Sequence, residues 1–516
     1  MKRTLALLLG LLLCGALAPA QATVKLATLF QDDMVLQQGM EVPVWGTAAP
    51  GEQVTVTIAG KQATAVADVN GQWMARLPAL EAGMPFTMVA TGSDNSDTCE
   101  NVAVGEVWVA SGQSNMQMPV SGVMNAQREI RAARYPGIRE FGMPRTVSVT
   151  PRRECKGYWE PCNPKNVVNY SAVGYFFARQ LHRDLGVPVG IIHTSWGGTP
   201  VESWISRPVL EAEPTFRYLT ANWDAAMQNY AKAVLDNAKQ MSAWQAAAEQ
   251  ALAAGQPLPM PPTPTVPDDP RNNPWLASGL YNAMIQPVVG YAIRGVIWYQ
   301  GESNAGRAYE YRTLFPAMIE NWRQAWGQGD FPFLFVQLAN FMDTKPEPGE
   351  SAWAELREAQ LMALRLPNTG MATIIDIGDA KDIHPKNKQE VGRRLALWAE
   401  ATTYGKRQEY SGPLYRSMEV EGDAIRLHFD HTGGGLKAKG KALTGFAIAG
   451  EDRRFVWAQA RIEGDTVIVR SSQVAKPVAV RYGWADNPVC NLYNGAGLPA
   501  SPFRTDDWPG ITAPKG

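Results

Sequence analysis

"VWVASGQSNMQMPV", residues 107–120, is the stretch from which the rest of the chain can be read. Its start, Val107–Ala110, is apolar without alternation, as in a strand covered on both faces. The run breaks at Gly112 into Gln113, Ser114 and Asn115, a hydroxyl with an amide side chain on either side. A glycine-flanked serine is ordinarily a turn residue. At the carboxyl edge of a parallel sheet the same serine is a candidate nucleophile, because open α/β sheets bind ligands there. What other strands deliver to that edge separates the two readings.

Further strand-like runs alternate with helical segments, the pattern of a parallel sheet covered by helices. "SAVGYFFARQLHRDLG" (171–186) predicts a helix capped by Ser171 and stopped by Gly186. Apolar runs follow that end in polar or glycine residues: 187–198, 292–304, 331–341 and 370–379. "KQEVGRRLALWAEATTYG" (388–405) closes this part as a helix. An alanine-rich stretch from 221 and the proline-rich "PLPMPPTPTVPDDPRNNP" (257–274) interrupt the alternation. They read as a long helix and a stiff connection within an insertion at about 208–274, a surface arm or a border of the site.

Both flanks are different. From Val24 to about Asp97, and again after about Glu400, short alternating runs are punctuated by Gly, Pro and Asn-Gly, which argues β-sandwiches, expected to pack together. The expected organisation is a β-sandwich over 23–99, a catalytic α/β region over 100–403 and a β-rich region over 404–516. Length alone suggests about three units.

The first 22 residues read as a secretory signal peptide: Lys2 and Arg3, a short apolar run, then "APAQA" with cleavage after Ala20 or Ala22. A periplasmic or secreted protein is expected. Leu13 before Cys14 is bulkier than lipidation sites usually allow. No later segment offers about 20 apolar residues, so no membrane span is expected. Cys99, Cys155, Cys162 and Cys490 remain. In an oxidising compartment they are either disulfides, with Cys155–Cys162 as a local loop and Cys99–Cys490 as a distant tie, or buried thiols. The formal net charge is −1, which gives no reason to expect a nucleic-acid partner. Seventeen tryptophans fit a sugar-handling surface and fit large cores equally well. No histidine–cysteine spacing suggests zinc, and no metal or other cofactor is expected.

The strand ends converge on acyl-transfer chemistry. "SGQSN" brings Ser114, "SWGGTP" Gly197 and Gly198, "YQGESN" Gln300, Glu302 and Asn304, and "DIGDAKDIHP" Asp379, Asp382 and His384. A serine hydroxyl needs a base to take its proton. His384 can be that base, with Asp382 or Asp379 orienting the imidazole. An oxyanion needs donors already aimed at it. The N–H groups of Ser114 and a second-block glycine, with the amide of Gln300 or Asn304, are the candidates. Gln113, Asn115, Glu302 and Arg307 are candidates for substrate contact. His182 falls on a helix surface, His193 in a strand as a core histidine near the cleft, and His428 and His431 in the C-terminal region. Taken singly, each block has a bland reading as a turn or a helix cap; four such blocks in order do not.

"GQSNM", "SWGGTP", "WYQGESN" and "DIHPKNKQEVGRRLA" resemble the sialate O-acetylesterase family of SGNH-type serine hydrolases, as do "LFQDDMVLQQ" and "NLYNGAGLPASPFRTD". The resemblance covers most of the mature chain. It implies a flavodoxin-like SGNH hydrolase core with β-sandwich additions, acting on acetylated carbohydrate without a cofactor. Ser114 matches the family nucleophile, His384 its histidine, and Gly198, ahead of Gly197, its second-block glycine. Two positions depart. Lys381 stands three residues before His384, where many SGNH enzymes carry the aspartate. Gln300 ends the third strand and Asn304 follows one turn later, with Gln300 favoured as the donor. Met116 also breaks the G-x-S-x-G elbow of the α/β-hydrolases. Sialic acid and an acetylated plant polysaccharide such as xyloglucan or xylan are the expected substrates. The alternative of another class is a non-catalytic carbohydrate-binding protein. Oligomeric state is not legible.

Overall fold

The computed structural model describes residues 23–263 and 266–514; the expected signal peptide at 1–22 lies outside the described residues. One strand organises the molecule. Ser96–Gly112 is 17 residues long, and its halves serve different sheets. The first half pairs antiparallel with Gly83–Thr91, and Ala103–Gly105 pair in parallel with Val35–Gln37. The second half pairs in parallel with Val189–Ser195 on one side and Gly295–Tyr299 on the other. The boundary expected at residue 99 therefore falls inside a single strand. The chain passes from a half-exposed edge to a doubly covered centre without a turn: of residues 96–101 only Cys99 is buried, and residues 102–112 are buried throughout.

The central sheet runs Tyr158–Cys162, Tyr135–Gly142, Val189–Ser195, Ser96–Gly112, Gly295–Tyr299, Phe333–Gln337, Thr369–Thr373. All neighbours are parallel except the edge strand Tyr158–Cys162. With Tyr135–Gly142 set aside, the last five follow the chain order second, first, third, fourth, fifth. The order changes direction beside Ser96–Gly112, and in such sheets the ligand crevice lies at the carboxyl ends there.

Two helices cover the sheet next to that point. Ala172–Leu185 starts where Ser171 Oγ accepts the Gly174 N–H at 3.1 Å and ends on Gly186 in the left-handed conformation. It packs on Lys388–Trp398, which is capped by Asn387. Gly392 permits the approach, since a Cβ there would lie 2.6 Å from Phe176 Cβ. The inserted helix Arg217–Ala253 buries only Leu219 and Thr220, as a surface arm does.

The two flanking β-regions do not share a core. N-terminal residues such as Val44, Val54 and Leu77 belong to the same core as Val107 and Ile191, whereas Ile425, Phe429, Val469 and Tyr482 form a separate C-terminal one. Buried Arg357 ties the C-terminal region to the sheet, donating to the carbonyls of Leu338 and Ala339 and to those of Ala485 and Asp486. Cys99, Cys155, Cys162 and Cys490 are free thiols, so neither disulfide pairing is present. Burial pushes the Cys99, Cys155 and Cys162 thiols up to about 12. Among the described residues no helix is long and apolar enough to cross a membrane.

Candidate active site

Gly112 ends its strand at φ +138°, and a Cβ there would lie 2.1 Å from the Tyr299 carbonyl oxygen. Only glycine fits both constraints. The chain then turns at Gln113, whose N–H donates to the same carbonyl, and Ser114–Gln117 forms one helical turn. This lifts the Ser114 hydroxyl off the sheet edge.

His384 arrives from the loop after Thr369–Thr373. Its Nε2 lies 2.8 Å from Ser114 Oγ. Asp382 Oδ1 accepts the His384 backbone N–H at 2.9 Å and stands 3.4 Å from Nδ1, long for a hydrogen bond. Its Oδ2 is 3.1 Å from Lys386 Nζ. Asp379 instead accepts the Lys381 N–H, so Asp382 is the carboxylate beside the ring. Burial chiefly depresses the His384 pKa below its ordinary value; Asp382 opposes this, and Lys388 and Lys386 add to it. The His384 N–H, and then Lys386, hold Asp382 below the usual carboxylate range.

The second block divides its two glycines. Gly197 packs on the serine: a Cβ there would lie 3.1 Å from Ser114 Cβ. Its N–H is already donated to Gln117 Oε1 at 2.7 Å. Gly198, at φ +76°, is exposed and in open space.

Gln300 and Asn304 bond to each other and to the second-block loop. Gln300 is fully buried; its Nε2 donates to Asn304 Oδ1 at 2.7 Å and to the Thr199 carbonyl at 3.2 Å. Its Oε1 accepts from Tyr311 at 2.9 Å. Asn304 donates to Glu202 Oε2 and accepts the Val201 N–H. These amides fasten the third strand's end to the second-block loop. Both Gln300 amide hydrogens are given to these protein acceptors, whereas its expected role was donor to an oxyanion.

The expected substrate contacts are engaged by neighbouring protein groups. Gln113 Oε1 accepts the Gly301 N–H at 3.2 Å. Asn115 donates to Glu302 Oε1 at 2.6 Å and to the Ile383 carbonyl at 3.0 Å. Arg307 is paired with Glu202 and, at 2.6 Å, with Glu310. Loops leaving a sheet carry backbone groups that no ladder pairs, and neighbouring amide side chains satisfy them. His193 is a satisfied core histidine, 3.2 Å from Glu140 Oε1 and 2.5 Å from Ser195 Oγ. His182, His428 and His431 contact Val187, Glu419 and Glu409, away from Ser114.

A family model described as carbohydrate esterase, sialic acid-specific acetylesterase, matches residues 271–400. Sialate O-acetylesterase of Rattus norvegicus is 30% identical, over 97% of this chain and 98% of its own. The Mus musculus sialate O-acetylesterase is 32% identical, over 93% and 94%. The chain belongs to the sialate O-acetylesterase family. A carbohydrate acetylesterase from Xanthomonas citri has the same architecture, with TM-score 0.80, 40% identity, and coverage of 94% of this chain and all of that one.

Within this sialate O-acetylesterase family member, the matched segment holds the third block and the His384 loop, while Ser114 lies outside it. Sequence reasoning missed Lys388, fully buried with Nζ bonded to Asn115 Oδ1 and 5.0 Å from the centre of the Tyr299 ring. A lysine on the first turn of a helix reads as a surface charge, and only its four-residue spacing from His384 hints otherwise. It also missed Gln117 and Gln360, whose amides hold Gly197 and the Gln300 carbonyl.

Proposed function

We propose that this protein is a carbohydrate O-acetylesterase of the SGNH type, acting through Ser114, His384 and Asp382. The carrying observation is the 2.8 Å contact between Ser114 Oγ and His384 Nε2, with Asp382 on the opposite ring nitrogen. Ser114 Oγ attacks the acetyl carbonyl while His384 Nε2 takes its proton. The N–H groups of Ser114 and Gly198 receive the oxyanion. Collapse breaks the bond to the sugar oxygen, which leaves with the proton from Nε2. Water, deprotonated by the same nitrogen, then releases acetate.

The substrate is an O-acetylated sugar. The curated relatives' names support sialic acid, and nothing among the residues assigned to the site adds to that support. A sialate carries a carboxylate that a cleft arginine would bind, but Arg307, the arginine among the candidate substrate contacts, is already paired with two glutamates. That pairing favours a second reading, a neutral acetylated polysaccharide such as xylan or xyloglucan. The N-terminal segment supports export to the periplasm or the medium.

Acetate release from O-acetylated sialic acid and from acetylated xylan or xyloglucan tests the assignment. Ser114→Ala is expected to abolish it with an unchanged melting temperature. Undiminished turnover in that variant would remove Ser114 from the mechanism.

A further inference from the structure

Behind the Ser114–His384 pair lies a buried charged group that the acyl-transfer steps do not use. Lys388 is fully buried, its ammonium donating to Asn115 Oδ1 and facing the Tyr299 ring. Asn115 follows the nucleophile in the chain, and its amide nitrogen gives both hydrogens away. One goes to Glu302 Oε1 on the third block, the other to the Ile383 carbonyl immediately before His384. Glu302 Oε2 is buried with no hydrogen-bond partner among the described residues, and so is the Tyr299 hydroxyl. A buried lysine and glutamate are costly unless each serves the other. Here they meet through one amide, which also grips the histidine loop.

We propose that Lys388, linked through Asn115 to Glu302, is a positioning residue whose bonds aim the His384 imidazole at Ser114 and whose charge, added to burial, disfavours the imidazolium. The charged or titratable groups facing His384 are Asp382, Lys386 and Lys388, with Ser114 on Nε2. Those acting on Lys388 are Glu302, Lys386 and Asp382. Burial lowers Lys388 to about 7, so it carries its charge through the pH range below that, where His384 titrates. A positive charge nearby disfavours the imidazolium. The base is thereby ready to accept a proton in mildly acidic conditions. Asn115 couples this effect to geometry, because losing its bond to Ile383 frees the loop.

The inference rests on His384 being the base, and its test reads the imidazole directly rather than turnover. NMR titration of the His384 ring protons, assigned with His384→Asn, gives the midpoint in the full-length mature protein. The paired variant Lys388→Met/Glu302→Gln removes both charges and leaves no unpaired buried ion. Its midpoint should rise by about half a pH unit or more, with kcat per folded molecule down about tenfold and KM unchanged. Lys388→Arg keeps the charge and should keep the midpoint. An unmoved midpoint in the paired variant would overturn the proposal. So would a rise in both variants, since shape rather than charge would then set it. Failure of either variant to fold would assign Lys388 to folding instead. Ser114→Ala decides the enzymatic reading separately.

Discussion

Ser114 Oγ and His384 Nε2 are 2.8 Å apart, although the two residues are separated by 270 positions in the chain. Their contact depends on two turns that are built independently, one forced by Gly112 and one held by Asp382 on the His384 N–H. A serine oxygen already within hydrogen-bond distance of the imidazole needs little rearrangement before attack.

Asp382 is expected to matter less than Ser114. It stands 3.4 Å from Nδ1 and its side chain is 39% exposed, so its charge is screened by solvent. Asp382→Asn should lower kcat about 10- to 100-fold, less than the ~10⁴ loss known for a buried triad aspartate. Steady-state acetate release measures this, with KM unchanged.

The pH profile should rise to its plateau early. Because His384 titrates below its ordinary 6.5, the acidic limb of kcat/KM should lie below that value. Linkage gives the same sign for stability. Below pH 6.5 the unfolded chain binds this proton before the folded protein does, so the His384 contribution declines as pH falls. A limb at or above pH 6.5 would contradict the burial argument.

Gln300→Ala separates structure from catalysis. The side chain makes three hydrogen bonds in a fully buried place. Its removal should cost about 2–4 kcal/mol of stability, read as a fall in the urea midpoint. Turnover per folded molecule should drop less than the 10²–10³ expected for loss of an oxyanion donor.

Gly112→Ala should fail more completely. The methyl would sit 2.1 Å from the Tyr299 oxygen at a backbone conformation unfavourable to alanine. A loss of at least ~3 kcal/mol is expected, with acetate release falling even in the folded fraction.

The proposed export is checked on the protein isolated after expression of the whole chain. N-terminal sequencing should begin at Gln21 or Thr23, after cleavage at Ala20 or Ala22. An intact Met1 on protein recovered from the periplasm would contradict it.

By itself the sequence determined which strands end in polar residues and which serine and histidine stand there. Apolar runs and glycine breaks are local properties, read along the chain without knowing its path. It left Asp379 and Asp382 undivided, as both lie within reach of the same loop. Only the tertiary structure decided that Gln300, Asn304, Asn115 and Glu302 are engaged by neighbouring protein groups, that Gly197 rather than Gly198 packs on Ser114, and that Lys388 is buried. Each of those outcomes depends on which hydrogen-bonding groups are already spent on a neighbour from another segment. Such partnership arises through space, when the sheet brings distant loops together, and no spacing along the chain encodes it.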